Sequence, residues 1–152
     1  MKYIYSCALL LLGTVSSFGA QLDIPFRASL EESCTIELQS DGLLVRDGLE
    51  VLDSAAAGGR AGVATIYTTG AGFQTSLNTP QAFSSAPSGT GGVTFTSTYS
   101  STGATTTPKV AGSTITSLEV GASTLSVDLR AVASNAIFQK GDYEAFVTVT
   151  CE

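Results

Sequence analysis

Residues 125–133, Leu-Ser-Val-Asp-Leu-Arg-Ala-Val-Ala, decide the fold class of this chain, because apolar and polar side chains alternate along them. Alternation with a period of two places the apolar side chains on one face of an extended strand. The same pattern returns near the end of the chain, where one face is formed by Tyr143, Ala145, Val147, Val149 and Cys151. Both stretches predict strands with one face toward a core.

The rest of the chain carries shorter signals of the same kind. Residues 62–69 are β-branched and end at glycines, residues 73–77 follow them, and residues 93–99 alternate well. Residues 43–45 predict a short strand, and the Ser/Thr-rich stretch 100–112 predicts an exposed loop or an edge hairpin. Six or seven strands separated by turn residues are typical of an antiparallel β-sandwich. The expected fold class is therefore all-β.

Alternation is also clear at the start of the exported part of the chain. One face is formed by Leu22, Ile24, Phe26, Ala28 and Leu30. The same parity resumes at Cys34, so the pattern places Cys34 on the core face of a strand.

The N-terminus has the features of a secretory signal peptide. Lys2 supplies a positive charge, residues 7–12 form an apolar run, and small residues lead to Ala20. The apolar run is much shorter than the ~20 residues that a membrane-spanning helix needs. We therefore expect a cleavable signal at residues 1–20 and an exported domain at residues 21–152, with cleavage after Gly19 or Ala20.

Cleavage leaves two cysteines, Cys34 and Cys151, because Cys7 departs with the signal. Two cysteines in an exported protein are expected to form a disulfide. Both fall on the apolar parity of a predicted strand, which favours a bridge between the first and last strands. Two free thiols or a metal-binding pair are the alternatives, although the chain has no histidine to complete a metal site.

Charge and composition exclude several classes of function. The chain has thirteen acidic and seven basic residues, which argues against binding to nucleic acid or to anionic lipid. Without histidine, no Ser-His-Asp or Cys-His catalytic arrangement is available. The acidic residues Asp41, Asp47, Glu50 and Asp53 match no EF-hand spacing and predict a solvated loop. We expect no catalytic residues, no cofactor and no metal.

Two motifs carry a resemblance to a known family. Residues 26–36, Phe-Arg-Ala-Ser-Leu-Glu-Glu-Ser-Cys-Thr-Ile, resemble the first core strand of chaperone–usher pilins, particularly the archaic group that includes spore coat protein U-like domains. Residues 141–150, Gly-Asp-Tyr-Glu-Ala-Phe-Val-Thr-Val-Thr, are similar to the closing strand of such a pilin.

The resemblance implies an immunoglobulin-like sandwich that lacks its final strand, with a hydrophobic groove along the resulting edge. It further implies a structural subunit of a bacterial surface fibre or coat, assembled in the periplasm by donor-strand addition. The implied partners are a periplasmic chaperone, an outer-membrane usher and other subunits. The protein would pass through the periplasm to the cell surface or the extracellular space. Residues 143–149 would then form the last strand beside the groove.

Residues 22–30 allow two interpretations within that family. They are either a donor arm for a neighbour's groove or the first core strand. We favour the core strand, because the parity continues through Cys34, and Pro25 is compatible with both edge positions. The alternative function is a self-contained secreted or periplasmic β-sandwich that acts as a binding module.

Overall fold

In the computed structural model, which describes residues 19–152, two antiparallel sheets pack as a β-sandwich, and the described residues contain no helix. The predicted all-β class is therefore confirmed. Of the predicted signal peptide at residues 1–20, residues 1–18 lie outside the described residues. Ten strands occur in chain order: β1 Cys34–Ser40, β2 Val45–Arg46, β3 Val51–Asp53, β4 Gly62–Thr68, β5 Gln74–Asn78, β6 Gly92–Gly103, β7 Thr107–Ala111, β8 Thr116–Ser117, β9 Gly121–Ser134 and β10 Thr148–Cys151.

The larger sheet is built around β9, the strand with the clearest alternation. On one side, the first half of β9 pairs with β4 and its second half pairs with β3. On its other side, β9 pairs with the whole of β6, from Gly92 opposite Ser134 to Gly103 opposite Ser123. The edges of this seven-stranded sheet are β1, which pairs with β4, β2, which pairs with β3, and β7, which pairs with β6.

The smaller sheet has three strands in the order β10, β5, β8. Its edge strand β10 pairs with β5 from Thr148 opposite Asn78 to Cys151 opposite Thr75. The chain thus places its first strand and its last strand at edges of different sheets. The two edges lie next to each other across the sandwich.

Two clusters of buried side chains fill the space between the sheets. Alternate residues of β9 contribute to both clusters, so the predicted apolar face of residues 125–133 faces the core. The first cluster consists of Ile66, Leu77, Tyr99, Leu118 and Leu125, and the second consists of Leu52, Ala131, Ala133 and Phe138. Aromatic rings extend the second cluster, since Phe83 contacts Phe95, Phe138 and Tyr143 with ring centroids 4.8, 6.0 and 5.2 Å apart.

Three expectations about the strands need correction. The count is ten rather than six or seven, because β2, β3 and β8 have only two or three residues and leave no visible alternation in the sequence. Residues 22–30 form no strand, and the first strand begins at Cys34. The last strand is shorter than predicted, because only residues 148–151 of the expected stretch 143–151 form a ladder. The stretch 100–112 is a hairpin of β6 and β7, one of its two predicted forms.

Candidate functional site

An open groove runs between the two neighbouring edges of the sandwich. One side of the groove is β1, and the other is the chain that leads into β10. Its volume is about 1110 Å³. The apolar side chains that line it include Leu38, Ala64, Val127, Leu129, Val147 and Val149. We call this feature the edge groove.

The edge groove exposes residues that the sequence pattern assigns to a core. On β1, Ile36 and Leu38 share the parity of Cys34, yet they are 38% and 70% exposed. Within residues 19–152, β1 pairs only with β4, so its other edge has no strand beside it. Leu38 lines the edge groove, Ile36 precedes it on the same face of β1, and an exposed apolar strip of this kind usually marks a surface that a partner covers.

A disulfide closes one end of the edge groove. Cys34 at the start of β1 is bonded to Cys151 at the end of β10, with the Cα atoms 6.4 Å apart. Both cysteines pack against the first core cluster, so the predicted bridge and the predicted core-facing parity are confirmed. The disulfide is a covalent link between the two strands that border the groove. We call this the disulfide end.

The opposite end of the edge groove is formed by residues 138–147, and the sequence predicts a strand from residue 143 onward. Phe138 is buried in the second core cluster, and Tyr143 packs beside it with ring centroids 5.3 Å apart. The backbone of Glu144 bonds to Ser85, with the N–H of Glu144 2.9 Å from the carbonyl oxygen of Ser85. Phe146, by contrast, is exposed. This segment is anchored at Phe138–Glu144 but has no neighbouring strand on its groove side within residues 19–152.

Residues 19–33 form an exposed segment ahead of β1, which we call the arm. Leu22, Ile24 and Leu30 are exposed, and Phe26 is 94% exposed. The arm is attached to the sandwich at Ser33, whose N–H donates to Oγ1 of Thr69 at 2.8 Å and whose carbonyl accepts from the N–H of Thr69 at 3.0 Å.

The interpretation of residues 22–30 as the first core strand is therefore wrong for this structure. The physical reason is the length of the neighbouring strand. Strand β4 ends at Thr68, opposite Cys34, and Thr69 bonds to Ser33 just beyond it, so no strand of the described residues continues the ladder beside residues 22–30. The alternation along residues 22–30 is real, but the large apolar side chains on that face are exposed.

The acidic residues singled out in the sequence do not gather into a site. Asp53 lies 3.7 Å from Nε of Arg130 and accepts a bond from the N–H of Ala55 at 2.8 Å. Within residues 19–152, no group of three potential metal-ligating side chains is found. The same residues contain no helix that is long and apolar enough to cross a membrane.

The sequence predicts an edge groove and offers the arm as one of two interpretations of residues 22–30, but it does not identify the residues that line the groove. Val127 and Leu129 line the groove, and the alternation of residues 125–133 marks them only as core-facing positions of a strand. A comparison of the chain with protein-family models, with curated proteins and with solved structures finds no match in any of the three.

Proposed function

We propose that this protein is a non-catalytic structural subunit of a bacterial surface fibre or coat, whose copies are joined by donor-strand addition. The observation that supports the proposal is the pairing of two unfilled features on one molecule. Among the described residues, no strand fills the apolar edge groove, and no sheet covers the alternating apolar face of the arm.

The dimensions of the two features agree. The nine residues from Leu22 to Leu30 span about 30 Å when extended. Strand β1 has seven residues, and the groove continues past it to Leu43 and Leu44. An extended arm therefore matches the length of the edge groove, and its five apolar side chains on one face would replace water along the floor.

The backbone supports the same proposal. Strand β1 has one ladder, on the side of β4, and β10 has one ladder, on the side of β5. Each strand thus offers unpaired N–H and C=O groups toward the groove, which is the usual requirement for adding a strand from another chain. A donor strand would bond to both edges and bury the exposed apolar strip at once.

The proposed function includes partners that cover the groove before assembly. An exposed apolar edge promotes aggregation, so a periplasmic chaperone would be needed to occupy the groove during transit. An outer-membrane usher and the other subunits of the same fibre complete the set. Export through the periplasm agrees with the Cys34–Cys151 disulfide, which forms in an oxidising compartment.

The test uses the mature protein and a synthetic peptide of residues 20–32. Peptide at a hundredfold excess over its dissociation constant should stabilise the folded state by about 2.7 kcal/mol. This corresponds to a rise in melting temperature of roughly 5–15 °C for a domain of this size. A control peptide with Ile24→Asp and Phe26→Asp should have no effect. A stable monomer that ignores both peptides would overturn the proposal and favour the self-contained binding module.

A further inference from the structure

A second open edge lies on the side of the larger sheet that is remote from β1. Strand β6 pairs with β9 along its whole length, but β7 pairs only with its second half, between Thr98 and Ser101. The N–H of Gly112 bonds to the carbonyl oxygen of Ser97 at 2.8 Å, and this bond ends the contact. Within the described part of the chain, no strand lies beside residues 92–96 on this side. We call residues 92–96 the open stretch.

Two residues of the open stretch direct their backbone hydrogen-bonding groups toward the free side. In an antiparallel strand, successive residues point their N–H and C=O groups to opposite sides in turn. The carbonyl oxygen of Ser97 points away from β9, since it accepts from Gly112. The backbone groups of Phe95 and Val93 therefore point the same way. A strand added here could bond to both groups of each residue without breaking an existing ladder.

The open stretch lacks the features that usually protect the edge of a sheet. Such edges are commonly blocked by charged side chains or by proline. Strand β7, which covers the other half of β6, carries both Pro108 and Lys109. The open stretch, Gly-Val-Thr-Phe-Thr, carries neither, and the chain has no charged residue from Ala61 to Pro108. An unprotected edge of β-branched and aromatic residues indicates a surface that another strand covers in the assembled protein.

The absence of charge favours a second copy of this chain as the partner. In a contact with two-fold symmetry, the same surface is used on both copies, so each side chain at the axis lies opposite its own counterpart. A charge at such a position would face a like charge and weaken the pairing. The chain has a net charge of −6, yet residues 61–108 contribute nothing to it. The open stretch can therefore meet its own counterpart without repulsion between like charges.

We propose that two copies of this chain pair through their open stretches, antiparallel and centred on Thr94, so that their larger sheets become one continuous sheet. In this register Val93 of each copy lies opposite Phe95 of the other, and the two residues exchange N–H···O=C bonds in both directions. Thr94 is exposed on the outer face and lies opposite its counterpart. Pairs of an aromatic with a β-branched side chain, and pairs of threonines, are cross-strand contacts that stabilise sheets.

The neighbouring structure selects this register. A centre between two residues would place core-facing side chains opposite outward-facing ones. A centre at Phe95 would place Val93 of the second copy where Gly112 already bonds to the strand. A centre at Val93 would place Phe95 opposite Gly91, whose φ of +70° takes the chain out of the extended conformation. A centre at Thr94 avoids all three conflicts.

The core side of the pairing has space for the added side chains. A cleft of about 530 Å³ lies beside Val93, and Ala82, Phe83 and Pro87 are among the residues that line it. In the proposed register, Phe95 of the second copy lies opposite Val93 and therefore at this cleft. Burial of its ring would add an apolar contribution to the backbone hydrogen bonds.

The proposed pairing leaves the edge groove accessible. Strand β1 borders that groove and forms the edge of the larger sheet opposite to β6 and β7. Copies joined through their arms could therefore also pair side by side with a second chain of copies. The pairing does not require the arm, so it goes beyond the proposed function and is tested separately from it.

The experiment measures self-association of the full mature chain with its arm inactivated by Ile24→Asp and Phe26→Asp. Sedimentation between about 1 μM and about 1 mM protein, a range that detects even weak contacts, should show a concentration-dependent dimer and nothing larger. The further change Thr94→Lys should weaken the dimer by about tenfold or more, because two like charges then face each other at the axis. The matched control is Thr102→Lys, at an exposed position on the outer face of the same strand, which should leave the dimer unchanged.

Two further measurements test the symmetry and the register. A mixture of the Thr94→Lys and Thr94→Asp variants should restore the dimer, since opposite charges then lie across the axis. A Thr94→Cys variant should form a disulfide-linked dimer in air, because opposed residues of a non-hydrogen-bonded pair have Cα atoms about 4.5 Å apart, and Thr102→Cys should not.

Several outcomes would overturn the inference. They are a monomer at every concentration, a Thr94→Lys variant that dimerises as well as its parent, and a mixture of the two charged variants that stays monomeric. Far-UV circular dichroism identifies a lysine variant that has lost its fold, and the cysteine variants then decide the question. None of these results bears on the proposed function, because the arm is inactive in every variant.

Discussion

Tyr99 shows at the scale of a single residue how the two sheets are held together. Its side chain is fully buried in the first core cluster. Its hydroxyl donates to the carbonyl oxygen of Thr114 at 2.8 Å and also bonds to the hydroxyl of Thr116 in β8. One residue of β6 in the larger sheet is therefore bonded to a strand of the smaller sheet and to the loop before it.

Replacing Tyr99 with Phe should lower the free energy of unfolding by about 1–3 kcal/mol, because the buried partners of the hydroxyl lose their hydrogen bonds. Urea denaturation followed by far-UV circular dichroism measures the change. The matched control is Tyr67→Phe, because Tyr67 is 42% exposed and should tolerate the loss within about 0.5 kcal/mol. Equal effects of the two changes would contradict this role of Tyr99.

At the scale of elements, the edge strands β1 and β10 border the groove on which the proposed function depends. They belong to different sheets, and the Cys34–Cys151 disulfide joins them. The sequence predicted this bridge because both cysteines lie on apolar parity. It could not predict that Leu38 of β1 would be exposed, because parity determines which face of a strand is apolar and not which element covers that face.

Removing the disulfide with the double change Cys34→Ser and Cys151→Ser should lower the free energy of unfolding by about 4–5 kcal/mol. This is the value expected when an unfolded chain regains the entropy that a long closed loop had removed. The two cysteines are separated by 117 residues. The midpoint of urea denaturation measures this loss. Reduction of the unmodified protein with dithiothreitol is the control and should reproduce it. A double variant as stable as the oxidised protein would show that the bridge contributes little.

The segment 141–147 should become a strand when the groove is filled. The alternation from residue 143 onward predicts a strand, and the structure shows only a single bridge there, between Glu144 and Ser85. We expect amide hydrogen exchange in this segment to slow by at least tenfold on addition of the peptide of residues 20–32, since new backbone hydrogen bonds protect amides. Amides of β9, which are already paired on both sides, should show no comparable local change. Unchanged exchange in 141–147 with bound peptide would contradict this expectation.

At the scale of the whole molecule, the sequence determined the class of fold and left the assembly undetermined. Long strands such as β6 and β9 are recognisable because many residues repeat one alternation. Residues 22–30 show the same alternation and yet form an exposed arm. An alternating segment has the same pattern whether it packs on its own domain or on another copy, so local sequence alone cannot distinguish the two.

The change Phe26→Asp should prevent fibre assembly of the full mature chain without altering the fold of its sandwich. Phe26 is exposed and contributes almost no buried area to the isolated chain. A charge at this position would oppose burial in a neighbour's apolar groove. Light scattering should find concentration-dependent growth into long chains for the parent protein and no species larger than a dimer for the variant. The change Ser29→Asp, on the polar face of the arm, is the control and should still assemble. Growth of the Phe26→Asp variant beyond a dimer would contradict the role of the arm.

The position of the disulfide has a mechanical consequence. In a chain of copies joined as proposed, tension pulls on Ser33 and the adjacent Cys34, and the next copy's inserted arm pulls on β1 and β10. The Cys34–Cys151 bond lies directly on this load path, between the point where force enters a domain and one of the two strands that hold the next arm. The residues between the two cysteines are partly shielded from the load. Such a fibre would yield by withdrawal of arms from grooves before its domains unravel.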